Sequence, residues 1–385
     1  MVKMITAYTE EVDELEDGIN EILGQIDLGT LLKNSVGMVT CHHDFIDSGF
    51  VGELRKKLPF DFIGMSTLAS ANKYGQSMYS LSLTVLSSDE ISFETCMCGS
   101  LNAENYKEGI NAVYSDTIKK LPGQPSLILS FFPFIQEVDG ATLHRRLDEV
   151  CKGIPFWGSL ASNVDGSFES CFVFRNGTVD KAGLAMILIH GPLDPEFIVV
   201  SLPSQNISKN RGQITRSSGC TLNEINGMPA QKYLETLGIT IKPGAPIVTP
   251  LMVYYEGSTE PVALGMYSAN EDGSFLCGGE MPVGAQIAIG EITSEGILSS
   301  TGTGIERIIN SKKRNGVLFL PCISRYLMLA PNQSDEMALL IEKVGNGSLM
   351  PFMIGYSGGE LCPVRDEGGV LRNRFHNYTF TACVF

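Results

Sequence analysis

The chain has 385 residues, 43% hydrophobic and 18% charged, with a formal net charge of −15. That is enough chain for two domains or one large α/β unit, and enough apolar content to bury a sizeable core. An acidic balance of this size offers no basic field to offset phosphate repulsion, which excludes a nucleic-acid partner.

The first 29 residues open with MVKMITAYTEEVDELEDGINEIL. They lack the basic start, apolar stretch and cleavage site of a secretion signal. Val12, Leu15, Ile19, Ile22 and Leu23 recur on one helical face, so the segment reads as an N-terminal amphipathic helix with Thr9 as its N-cap. No apolar run approaches the roughly 18 residues needed to span a bilayer, and the chain reads as cytoplasmic, without membrane insertion. Ten cysteines lie mostly inside apolar stretches, as expected of reduced, buried thiols. Only Cys96 and Cys98 form a close pair, and without a second half-site no metal is expected there.

A repeat organises the rest. Residues 36–86 run VGMVTCHHD, DSGFVGELRKKL, FDFIGMSTLASAN and MYSLSLTVL; residues 126–189 run SLILSFFPF, DGATLHRRLDEVC, IPFWGSLASN, SFESCFVFRNGTV and AGLAMILI. Near the end come GVLFLPCIS, SDEMALLIEKVG, PFMIGYSGGELC and YTFTACVF. Each copy is an apolar strand, a helix, a second strand ending in Gly and small polar residues, and a return strand. Val36 to Gly64, Ser126 to Gly158 and Val317 to Gly355 are separated by 28, 32 and 38 residues, long enough for the crossover that parallel strands require. VALGMYSANEDGSF at 262–275 is a weaker echo with Gly265 but no helix before it. The fold class is therefore α/β, with mixed sheets built from repeated β-α-β-β units. LPSQNISKNRGQ interrupts the apolar pattern and divides the chain into domains at 30–210 and 211–385.

GYSGGE at 355–360 fits the G-x-S-x-G pattern of a hydrolase nucleophile elbow. The repeat aligns Gly355 with Gly64 and Gly158, so this glycine belongs to a recurring strand end. ELCPVRDEGG after it has no helical period, and its possible partners Asp366 and His376 lie within 19 residues of Ser357. A serine hydrolase using Ser357 is thus the lesser alternative, and no catalytic residue is assigned.

From about residue 30 onward the chain resembles the FIST family, the paired FIST N and FIST C domains of bacterial intracellular sensory proteins. The resemblance rests on PFDFIGMSTLASANKYG and on IPFWGSLASNVDGSFESCFVFRNGTVDKAGLAMILIHG in the first part. In the second part it rests on ITRSSGCTLNEINGMPAQKYLE, GGEMPVGAQIAIGE, LPCISR, PFMIGYSGGELCP and FHNYTFT. It implies a FIST N-like and a FIST C-like domain that bind a small ligand, amino acids among those proposed for the family. The signal would pass to a separate partner such as a histidine kinase. A branch of the family resembles haem-binding nitric oxide sensors, so haem b is the alternative cofactor; otherwise none is expected.

The residues suggest where a ligand would sit. Arg325 follows an apolar strand, where a guanidinium can hold a carboxylate through two charged hydrogen bonds. Glu360 follows the matching second strand and suits an ammonium group, unless the two side chains form a structural ion pair with each other. Gly355 and Gly358, with Gly359, would let a ligand approach the backbone, Ser357 lies among them, and Asn377 would cap a loop or bond a ligand carbonyl. The ligand is then an amino acid or related small carboxylate. Were haem bound, His376 or His43 would be the iron ligand, whereas His144 and His190 read as structural. No C-x-x-C-H motif is present for covalent attachment.

Overall fold

The computed structural model describes residues 2–164, 168–242, 244, 247–258, 260–346 and 350–385. Residues 165–167 of the second glycine-ended block lie outside the described residues.

The fold is mixed α/β, as expected, and the repeat is real. In the first unit, an edge strand β1 (Lys3–Thr9) and helix α1 (Leu15–Gln25) precede β2 (Asn34–Cys41). Helices α2 (Asp44–Asp47) and α3 (Phe50–Lys57) lead to β3 (Phe62–Ser66), a hairpin β4–β5 (Ser70–Asn72, Gly75–Ser77) and the return strand β6 (Leu81–Ser88). The second unit repeats this order: edge β7 (Ser92–Cys98), α4 (Tyr106–Ile118), β8 (Leu127–Phe132), α5 (Gly140–Cys151) and β9 (Phe156–Leu160). Its hairpin is β10–β11 (Val173–Arg175, Thr178–Asp180), and its return strand is β12 (Leu184–His190).

The third unit begins with edge strand β13 (Glu196–Val200) and is then interrupted. Strands β14 (Ile207–Ser218), β15 (Thr221–Ile225) and β16 (Met228–Pro229), helix α6 (Ala230–Thr236), and strands β17 (Leu251–Tyr254), β18 (Val262–Leu264), β19 (Met266–Ala269), β20 (Phe275–Cys277) and β21 (Gln286–Gly290) form a separate antiparallel sheet. The unit resumes with α7 (Ser294–Asn310), β22 (Val317–Pro321), α8 (Ile323–Met328), α9 (Asp335–Leu340) and β23 (Phe352–Gly355). Hairpin β24–β25 (Glu360–Arg365, Leu371–His376) and return strand β26 (Phe380–Val384) complete it.

In each unit the two glycine-ended partners are parallel: β2 with β3, β8 with β9, and β22 with β23. The three sheets share one order, namely β1-β6-β2-β3-β10-β11, β7-β12-β8-β9-β24-β25 and β13-β26-β22-β23-β4-β5. Each unit therefore keeps its edge, return and parallel strands and exports its hairpin to another unit, in a closed cycle. The parallel strands are apolar along nearly their whole length because both faces are covered. On the inner side, Met38, Met65, Leu129, Trp157, Leu318 and Met353 join one core shared by the three sheets, while each unit has its own core beneath its helices.

The recurring glycines mark places where a side chain has no room. A Cβ on Gly158 would collide with the Ser130 carbonyl of the adjacent strand, and one on Gly64 would meet Phe174 and lie 2.6 Å from the Val39 carbonyl oxygen. A Cβ on Gly355 would lie 2.9 Å from Thr40 Cγ2.

Three expectations need correction. The N-terminal segment is not a single helix: its first residues are β1, paired antiparallel along β6, and the helix is Leu15–Gln25. Thr9 is consequently not an N-cap; it ends the strand, and its Oγ1 donates to Glu21 and accepts from the Glu11 N–H. The echo at 262–275 is not a further unit, since β18, β19 and β20 pair antiparallel inside the interrupting sheet. LPSQNISKNRGQ runs directly into that sheet, its last residues lying in β14.

Candidate functional site

The three glycine-ended strands converge and bind one another through their backbones. The Ser162 N–H donates to the Ser66 carbonyl, Leu160 N–H to Gly359, Gly358 N–H to Leu160, and Tyr356 N–H to Ala69. The hydroxyls of Thr67 and Ser162 both donate to the Tyr356 carbonyl, at 2.7 and 2.8 Å. Small polar residues follow each glycine because this junction needs hydrogen-bonding groups and leaves little volume.

Beside the junction lies a cavity of about 610 Å³, within the range that accommodates a small ligand. The second unit contributes Phe134, Ile135, Val138, Asp139 and Leu160; the interrupting sheet contributes Tyr267, Leu276, Cys277 and Gly278. The third unit contributes Cys322, Ile323, Ser324, Leu327, Gly358, Phe375, Asn377 and Tyr378, and Phe168 closes one side. Phe134, Tyr267, Leu276 and Leu327 are all substantially exposed, giving the mouth an apolar rim of the kind that marks binding sites.

Among the described residues that line it, the charged groups are the carboxylates of Glu137 and Asp139, and none is Lys, Arg or His. Asp139 caps α5, accepting from the Thr142 N–H at 2.7 Å. The Tyr267 hydroxyl faces Asn377, and desolvation there raises the phenol above its ordinary value.

The residues expected at the site divide into three groups. Gly358 and Asn377 line the cavity. Asn377 has both amide ends engaged, Oδ1 accepting from the Gly265 N–H and Nδ2 donating to the His376 carbonyl, each at 2.9 Å. It ties the interrupting sheet to the third unit. Ser357 and Glu360 lie one layer deeper, fully buried, with the Ser357 hydroxyl and the Thr379 hydroxyl both donating to the Glu360 carboxylate. Burial drives the Glu360 carboxyl up to about 7, although the hydroxyls of Ser357 and Thr379 favour its charged form. The chain after Ser357 continues as strand β24, and the side-chain partner of Ser357 is Glu360 rather than a histidine. The supports of a nucleophile elbow are not there.

Arg325 and Gly355 fall outside the cavity, and the reading of Arg325 as a carboxylate clamp is overturned. Its side chain is 1% exposed and turned into the protein, where its partner is Glu336 of α9, 0% exposed, at 2.7 Å. Its Nη2 also donates to the Ile297 carbonyl, Ser300 and Thr301, and its Nη1 to the Tyr378 carbonyl at 3.3 Å. It pairs with neither Glu360 nor the cavity; it bolts α7, α8 and α9 to the end of β25. The helix turns inward directly after Cys322, so a side chain three residues past the strand points back at α7.

Of the histidines considered for haem, His376 is engaged inside the protein and His43 stands at a helix corner. His376 holds its Nε2 on the Cys362 carbonyl at 3.0 Å and its Nδ1 is enclosed. Burial lowers its ring to about 4. The cleft that His376 borders mixes Phe197, Val199, Val262, Val364 and Leu371 with Glu196, Glu260, Arg307, Lys313 and Arg365. His43 lies at the start of α2, packed on His42.

Sequence reasoning missed most of the cavity walls. Phe134, Ile135 and Val138 carried a usable signal, being apolar residues in the short connection between β8 and α5. Tyr267 and Leu276 carried none, because their role depends on where the interrupting sheet docks.

A model of the FIST N domain matches residues 35–228, and one of the FIST C domain matches residues 229–363. The chain belongs to the FIST family. FIST domains are associated with signal-transduction sensing. The cavity of this FIST protein is lined from both matched regions, and the exported hairpins cross between them, β4 pairing with β23 and β24 with β9. No curated protein matches the chain. Among solved structures, a cyanuric acid hydrolase described as an evolutionary innovation by structural concatenation aligns over 100% of this chain and 99% of its own, at 7% identity and a TM-score of 0.36. A likeness at that level carries no functional inference.

Proposed function

We propose that the protein is a cytoplasmic sensor that binds a small ligand in the cavity between the second unit, the interrupting sheet and the third unit, without turnover. The observation that carries this reading is the cavity itself, about 610 Å³, walled by segments distant in sequence and rimmed by exposed apolar side chains. A ligand bridging these walls would change how the interrupting sheet sits against the units. That gives binding a route to a separate signalling partner such as a histidine kinase.

The wall chemistry refines the ligand class. A carboxylate would find no cation among the lining residues, whereas an apolar body with an amine would place its charge toward Asp139 and Glu137. An amino acid meets that description through its ammonium and side chain rather than through its carboxylate. The test is a thermal-shift screen with amines, amino acids and small carboxylates on the wild type and on Ser324→Trp, which fills the cavity from a half-buried position. A ligand at 100 times its Kd stabilises by about 2.7 kcal/mol. Apolar amines that stabilise the wild type and not the variant support the reading; carboxylates that stabilise both equally refute it.

A further inference from the structure

One cluster of side chains away from the cavity has unmet chemistry. β2 ends at Cys41, and the chain enters α2 through His42, His43 and Asp44. Counted from the paired positions Cys41/Ser66 and Cys322/Ser357, Asp44 occupies in the first unit the place that Arg325 holds in the third. Here the corner turns a different set of groups toward one another.

The His42 ring is 4% exposed and lies between the rings of Tyr79, at 4.8 Å, and His43, at 4.1 Å. The Asp44 carboxylate spans the two imidazoles, with Oδ2 3.2 Å from His42 Nδ1 and Oδ1 3.4 Å from His43 Nε2. His42 Nδ1 accepts from the Asp44 backbone N–H at 3.3 Å, a long contact that a metal ion on the same lone pair would replace, and its neutral ring carries the proton on Nε2. That Nε2 and His43 Nδ1 are both enclosed without a hydrogen-bond partner.

Two imidazole nitrogens and a carboxylate converge here, each ligand atom within 4.8 Å of the others. Zinc bonds of about 2.0–2.1 Å in tetrahedral array place neighbouring ligand atoms roughly 3.3 Å apart; each imidazole nitrogen here lies near that distance from its own oxygen of Asp44, so one carboxylate oxygen must turn between them to bind a shared ion.

We propose that His42, His43 and Asp44 form a binding site for a divalent transition-metal ion of the zinc type, its fourth position open to solvent beside Asp44. Two imidazoles and one carboxylate suit Zn²⁺ and its neighbours in the series, and are a poor set for Mg²⁺ or Ca²⁺, which take oxygen donors. His43 and Asp44 are partly exposed, so their side chains have room to turn toward a shared ion.

The test uses the full-length protein, stripped with chelator under reducing conditions. It is titrated with Zn²⁺ by calorimetry and with Co²⁺ followed by visible absorption. The expected result is one ion per chain and a four-coordinate Co²⁺ band, with affinity reduced more than about tenfold in both His43→Ala and Asp44→Asn. Both variants change partly exposed side chains, and an unshifted melting temperature without metal establishes that they are folded. No binding, or binding unchanged in both variants, as would follow if thiols alone took the metal, overturns the proposal.

Discussion

Replacing Arg325 by Ala separates a structural role from a ligand-binding one. The guanidinium is 1% exposed and holds a carboxylate that is 0% exposed, so the substitution leaves Glu336 buried with only the Thr301 hydroxyl at 2.7 Å and the Tyr356 hydroxyl at 3.5 Å. Breaking a buried pair from one side costs about 3–5 kcal/mol, because the remaining charge is uncompensated. For a chain of this size that lowers the apparent melting temperature by roughly 2 °C per kcal/mol, or about 6–10 °C. Urea unfolding of the wild type, Arg325→Ala, Glu336→Gln and the double variant closes a mutant cycle. The double variant should recover more than about 1 kcal/mol relative to the sum of the single variants. Arg325→Ala within about 1 kcal/mol of the wild type would refute the assignment and return Arg325 to the list of ligand residues.

Glu360 should impose a pH dependence. Its folded carboxyl is raised to about 7 from a usual 4.5, so between those values the folded state holds a proton that the unfolded state has released. Stability then falls as pH rises from about 4.5 to 7, by an order of 3 kcal/mol, and is flat above. His144 and His376, lowered to about 3 and 4 by burial, work in the opposite direction over part of that window; the difference between wild type and Glu360→Gln, measured from pH 5 to 8, isolates the carboxyl. A difference that does not change with pH would sink this prediction. Among the recurring glycines, Gly158→Ala should cost about 3 kcal/mol or more, because its Cβ meets backbone, and Gly355→Ala about 1 kcal/mol, because Thr40 can shift. Equal urea midpoints for the two would contradict that ranking.

The β-α-β units were legible because in three apolar strand pairs the second strand carries a glycine, required by close approach to the neighbouring strand at Gly64 and Gly158 and to Thr40 of the first unit at Gly355. The cyclic exchange of hairpins was not. Asn72 pairs with Met353, Phe174 with Gly64, and Glu360 with Ser159, contacts more than 100 residues apart that no local period reports. The partner of Arg325 was within reach: Glu336 and Leu340 are four apart on α9, and so share the face that buries Leu340. A charge on an otherwise apolar helical face asks for a buried counter-charge. The cavity was legible only in part, because one side of it, Tyr267, Leu276, Cys277 and Gly278, comes from an antiparallel sheet inserted between β13 and α7, whose docking depends on Asn377 reaching across to Gly265.

The central claim is that the cavity beside the strand junction holds a small ligand. It is tested most directly by the thermal-shift comparison of wild type and Ser324→Trp across amines, amino acids and carboxylates. The account predicts apolar amines that raise the melting temperature of the wild type and leave Ser324→Trp unmoved. Compounds that stabilise both proteins equally, or a set in which no amine stabilises the wild type, would contradict it.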